Sequence, residues 1–188
     1  MNLKFIAAAA LIGLAASPGF AQESIEDKAK LCAACHGENG MPVMPEVPNI
    51  WGQHTGYIYI QLKDFKSKSR ASEIMNPIAA KMQKADMLAL AEYFASKPWP
   101  STGYRSEDAD VSKAETIATA GMCSACHLET FFGDSVIPRV AGQTQAYLER
   151  TLLAFKTRER NNNPDKSSLM QTFADEDLKT MSRYLAGL

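Results

Sequence analysis

Histidine is scarce in this chain of 188 residues, with three copies, and cysteine is nearly as sparse, with four. No cysteine lies outside two short copies of one pattern. Other shortages exclude whole classes of function. Beyond the N-terminus there is no long apolar run, and the mean hydropathy is −0.21, which rules out a polytopic membrane protein. Neither sign of charge dominates: 20 Lys and Arg stand against 21 Asp and Glu. A general nucleic-acid binder would carry a basic excess, so that class is excluded. A composition 46% hydrophobic and 22% charged excludes disorder and collagen-like repetition. Sustained strand alternation is missing as well.

The first segment carries an export pattern. Lys4 supplies a positive start, Phe5 to Ala16 an apolar core, and Gly19-Phe20-Ala21 the small residues that a signal peptidase reads. The apolar stretch is too short to serve comfortably as a permanent anchor. We expect a signal peptide over residues 1–21, cleaved after Ala21, and a periplasmic mature chain over 22–188.

Export makes disulfides the first expectation for an even cysteine count. The spacing points elsewhere. Cys32-Ala33-Ala34-Cys35-His36 and Cys123-Ser124-Ala125-Cys126-His127 are both C-x-x-C-H, the attachment sequence of c-type haem. Two thiols on one helical turn add across the two vinyl groups of a porphyrin, and the next histidine then sits under the iron. A thioredoxin-like pair needs no such histidine, and a four-cysteine zinc site would leave both histidines unexplained. The expectation is two covalent haem c groups held by Cys32, Cys35, Cys123 and Cys126, with His36 and His127 as proximal ligands.

The motif belongs to a longer repeat. Val47-Pro48-Asn49-Ile50-Trp51-Gly52-Gln53 returns as Ile137-Pro138-Arg139-Val140-Ala141-Gly142-Gln143, and at the same spacing Tyr57, Leu62, Phe65 and Arg70 meet Tyr147, Leu152, Phe155 and Arg160. Two copies of this length read as duplicated domains rather than a solenoid. Each copy reads as helical: a first helix around Ile25, Ala29 and Cys32 (then Ala114, Ile117 and Ala118), a middle helix from near Thr55 (then Thr144), and an amphipathic last helix on Met87, Leu90, Ala91 and Phe94 (then Leu178, Met181 and Leu185). Pro98 and Pro100 block helix continuation between the copies. The expected fold is all-α, with an N-terminal domain over 22–97, a linker over 98–109 and a C-terminal domain over 110–188.

On these motifs the chain resembles a dihaem class I cytochrome c, most closely the cytochrome c4 family, across the whole mature sequence. More loosely, from Phe65-Lys66-Ser67 to Phe94, it resembles the dihaem subunit of flavocytochrome c sulfide dehydrogenases. The first resemblance implies two tandem cytochrome domains about a pseudo-twofold axis. It also implies that Pro48 and Pro138 offer their carbonyls to the proximal histidines.

With one histidine left, His54, which the repeat does not share and which reads as a surface or helix-capping residue, the distal ligands are expected to be methionines. Met181 belongs to the apolar stripe of the last helix, so Met170, placed in the loop before it, is expected on the second iron. For the first iron Met75 fits the family position best, with Met82 in reserve. The repeat does not confirm the pair: Met75 faces Lys166, and Met170 faces Ala79.

The implied activity is a periplasmic electron shuttle between respiratory redox proteins, from a quinol-oxidising complex to a terminal oxidase or reductase, with no catalytic residue assigned and no small-molecule substrate. The alternative is the electron-accepting cytochrome subunit of a dehydrogenase such as a flavocytochrome c sulfide dehydrogenase. Peripheral membrane association stays open. The basic clusters Lys63, Lys66, Lys68, Arg70 and Lys156, Arg158, Arg160 read as solvated helix faces before docking sites.

Overall fold

A computed structural model describes residues 24–188. The export pattern lies outside these residues. Nine helices occur among them, in two matching series. The first holds α1 (Ile25–His36), α2 (Thr55–Ser67), α3 (Met75–Ala80) and α4 (Lys84–Ala95). The second holds α5 (Asp108–Ala120), α6 (Ser124–His127), α7 (Gln145–Thr157), α8 (Pro164–Met170) and α9 (Asp175–Ala186). The described residues contain no strand beyond one isolated bridge, Asp134 to Ile137.

Local chemistry sets the helix starts. Ser24 caps α1 by accepting from the Asp27 N–H, and Gln83 and Asp86 form a reciprocal capping box on α4. Asn163 caps α8, with Pro164 in its first turn. The expected apolar stripes are the buried ones. Met87, Leu90, Ala91 and Phe94 of α4 close on Ala29, Ile58 and Leu62, and Leu178, Met181 and Leu185 of α9 close on Ala114, Ile117, Leu148, Leu152 and Phe155.

The two series differ at the C-x-x-C-H motif. In the first, α1 runs straight through it. In the second, α5 ends at Ala120, Met122 takes a left-handed conformation (φ 47°), and the motif sits on the separate single turn α6.

The series are joined by pairs of contacts that exchange under the repeat. The Gln53 amide donates to the Arg139 carbonyl and its Oε1 accepts from the Arg139 N–H, both at 2.9 Å. Gln143 does the same to Asn49, at 2.9 and 2.8 Å. Arg70 donates to the Tyr147 hydroxyl (3.1 Å), and Arg160 to that of Tyr57 (3.3 Å). These reciprocal bonds are the pseudo-twofold axis in chemical form. They also correct the reading of the basic clusters: Arg70 and Arg160 are spent on the interface, not on solvent. Between the series Trp99 donates its indole N–H to the Gly142 carbonyl (3.3 Å) and lies under the Arg139 guanidinium.

Candidate functional site

The end of α1 brings Cys32, Cys35 and His36 onto one turn, and α6 does so for Cys123, Cys126 and His127. None of the four cysteines is in a disulfide. Burial pushes the Cys32 thiol up to about 11 and raises Cys123 as well. His36 is buried, and its Nδ1–H donates to the Pro48 carbonyl at 2.7 Å. His127 donates in the same way to Pro138, at 3.0 Å. With Nδ1 so engaged, each ring keeps Nε2 as its donor atom.

The protonation state suits iron as well. Burial holds the His36 imidazole below its ordinary pKa, against the opposing pull of the Pro48 carbonyl. For His127, burial first and then the Lys166 ammonium push the pKa down to about 4, again against the proline carbonyl. Neutral imidazole is the ligating form. These features fit haem c: two thiols one turn apart, a neutral histidine beside them, and a backbone acceptor that fixes the ring. They do not fit a bare ion. Among the described residues no three His, Cys, Asp or Glu side chains converge on a metal-sized site.

The proline and glutamine of the Pro-x-x-x-Gly-Gln stretch work together. Pro48 orients His36, and the next residue, Asn49, is gripped by Gln143. Pro138 orients His127, and its neighbour Arg139 is gripped by Gln53. Each histidine is thus tied, through one loop, to the opposite half of the molecule. Each glutamine stands five residues after its proline in both copies, and that recurrence is the sequence signal of this role.

The methionines divide. Met75 opens α3, half-buried against the first core. Met82, also half-buried, follows that helix and packs against the same core. Met170 is not in a loop, as expected, but is the last residue of α8 and is 3% exposed in the second core. His54 stands at the N-cap position of α2, yet its ring makes no cap; Nε2 donates to the Phe132 carbonyl of the other half at 2.8 Å. Trp51 packs on the first core and meets Gly40 closely enough that a Cβ there would lie 2.7 Å from its ring.

Comparison with known proteins agrees with this geometry. The cytochrome c family model matches residues 28–98. Cytochrome c4 of Thiocapsa roseopersicina is 34% identical over 170 residues, covering 84% of this chain and 87% of its own length. The thiosulfate dehydrogenase electron acceptor of Stutzerimonas stutzeri is 30% identical over 182 residues, covering 90% and 84%. Among solved structures, cytochrome c4 of Acidithiobacillus ferrooxidans matches with a TM-score of 0.78 at 30% identity, over 85% of this chain and 99% of that one. Reduced cytochrome c4 from Pseudomonas stutzeri matches with a TM-score of 0.79 at 25% identity, over 87% and 96%. With paired C-x-x-C-H sites, two proline-oriented histidines and a dihaem relative along its length, the chain belongs to the cytochrome c4 family and carries two covalently bound haem c groups.

Proposed function

We propose that this chain is exported to the periplasm and carries electrons, one per haem, between larger redox proteins, making and breaking no substrate bond. The observation that carries this reading is the doubled His–Pro pair, each half bound to the other by a glutamine. The chain divides into an N-terminal domain over 22–97, a connector over 98–109 and a C-terminal domain over 110–188. Bound here, haem c supplies a reversible one-electron iron couple.

The chain's own residues do the rest. Cys32 and Cys35, then Cys123 and Cys126, fix each porphyrin covalently. His36 and His127 give the proximal nitrogen, aimed by Pro48 and Pro138. Met75 gives the distal donor of the first site. The second distal donor comes from α8, which offers Met170 and, one turn earlier, Lys166. The interface bonds hold the two sites in fixed relation, so an electron carrier of this build exchanges charge with little rearrangement.

A second reading has support in the relatives named thiosulfate dehydrogenase electron acceptors, in Stutzerimonas stutzeri and Thiomonas intermedia. In it the same sites accept electrons within a dehydrogenase pair. The test is to purify the holoprotein under mild conditions, count haems by pyridine haemochrome, and follow reoxidation of the ascorbate-reduced protein by oxidase-bearing membranes. Two haems per chain and rapid reoxidation are expected for the shuttle. Stable co-purification with a dehydrogenase subunit, without reoxidation by membranes, favours the second reading. Rapid stoichiometric carbon monoxide binding at neutral pH would sink the ligation scheme for at least one haem, because it requires an open iron.

A further inference from the structure

The short helices α3 and α8 share a set of corresponding hydrogen bonds. In the first unit the Ser72 hydroxyl accepts from the Met75 N–H (3.1 Å) and the Ser72 carbonyl from the Asn76 N–H (3.1 Å). The Asn76 side chain then donates to the Arg70 carbonyl (2.8 Å). In the second unit the Asn163 side chain accepts from the Lys166 N–H (2.9 Å) and the Asn163 carbonyl from the Ser167 N–H (3.1 Å). The Ser167 hydroxyl donates to the Arg160 carbonyl (3.2 Å).

At the far end, the Ala79 carbonyl accepts from Met82 (3.0 Å), and that of Met170 from Phe173 (3.3 Å). Lys166 therefore stands where Met75 stands, and Met170 where Ala79 stands. Ala79 is fully buried packing, and Met170 lies in the same kind of place, inside the second core.

The surroundings of Lys166 are unusual for a lysine. Its ammonium lies near the Cys123, Cys126 and His127 side chains of the motif, and near the Arg160 guanidinium, a second cation. Among the described residues it makes no ion pair with any carboxylate. A cation placed against an attachment motif and left without a counter-charge is poorly explained by stability alone.

We propose that Lys166, through its neutral ε-amine, is the distal ligand of the second haem iron opposite His127, and that Met170 is a core residue. The assignment rests on the dihaem reading and on His127 as proximal ligand. Forming the nitrogen–iron bond requires only that the ammonium release its proton to solvent; nothing is oxidised or reduced. An amine stabilises ferrous iron less than a thioether does, so the second haem should have the lower potential.

The test uses the oxidised holoprotein and its far-red methionine-to-iron charge-transfer band. With two haems per chain confirmed, the wild type should show the intensity of one methionine-ligated iron, which Met75→Ala abolishes. Met170→Leu should leave the band unchanged. Lys166→Met should double it and raise the lower of the two potentials. A wild-type band of two-iron intensity, or one that Met170→Leu halves, overturns the assignment. The wild-type intensity decides even where a variant fails to fold. Fewer than two haems per chain would instead sink the dihaem reading, and this assignment with it.

Discussion

At the scale of single residues, Lys68 and Arg158 close the middle helices in one and the same left-handed conformation, φ 63° and 64°, each with its N–H on the carbonyl of the preceding phenylalanine. A residue with a Cβ is strained there, and glycine is not. Lys68 is exposed and makes no side-chain contact that decides the fold. Lys68→Gly should therefore stabilise by about 0.5–1 kcal/mol, after allowing for the freer unfolded chain. That corresponds to a rise in Tm of roughly 1–4 °C in a chain of this size. Lys68→Ala, which removes the charge but keeps the Cβ, should give no such rise; an equal rise would assign the effect to charge. Residue types with special chemistry were legible without a structure. The cysteines, His36, His127, Pro48 and Pro138 all stood out by motif. Lys166 did not, although its alignment with Met75 was visible, because a lysine in a helix usually reads as a solvated charge. What its sequence position hid was its partnership: the hydrogen bonds around it repeat those around Met75.

At the scale of elements, the first and last helices of each unit must cross, and ion pairs fix each crossing: Lys28 to Asp86 between α1 and α4, and Arg183 to Asp110 together with Lys113 to Asp177 between α5 and α9. The Arg183 pair is two-pronged, at 2.7 and 2.9 Å, and both side chains are mostly buried. The guanidinium bond holds the Asp110 carboxyl below its ordinary pKa. A carboxylate whose pKa is depressed by folding contributes stability above its unfolded value, near 3.9, and loses it as the pH falls through the folded value. Asp110→Asn should cost roughly 1–2 kcal/mol at pH 7, measured by urea unfolding of the holoprotein. The deficit should stay level between pH 6 and 8 and shrink below about pH 4. A deficit that persists undiminished at pH 3 would point to lost packing instead. Helix positions were largely readable from apolar spacing, since the stripes on α4 and α9 are the buried ones. The break between α5 and α6 was not, because it depends on one backbone angle at Met122, a residue with no turn signal of its own.

At the scale of the whole molecule, the two halves are joined by backbone-directed glutamines, and the two joints are not equal. Asn49, gripped by Gln143, is 1% exposed, whereas Arg139, gripped by Gln53, is only half-buried. No pattern in the chain announces such an interface: a repeat shows that two copies exist, and only the folded form shows which of their shared residues face each other. Removing Gln143 leaves the Asn49 N–H and carbonyl unpaired away from water, while removing Gln53 leaves those of Arg139 within reach of it. An unpaired buried polar group costs about 1–3 kcal/mol, and water relieves most of that when it can enter. Gln143→Leu should therefore destabilise the holoprotein by about 2–4 kcal/mol and Gln53→Leu by about 1–2 kcal/mol. Because Asn49 follows Pro48 directly, the first variant should also disturb His36, seen as a shift in the potential of the first haem but not the second. Calorimetry combined with a redox titration checks both effects. Equal losses in the two variants, or a potential shift confined to the second haem, would show that the coupling between the halves does not run through these loops.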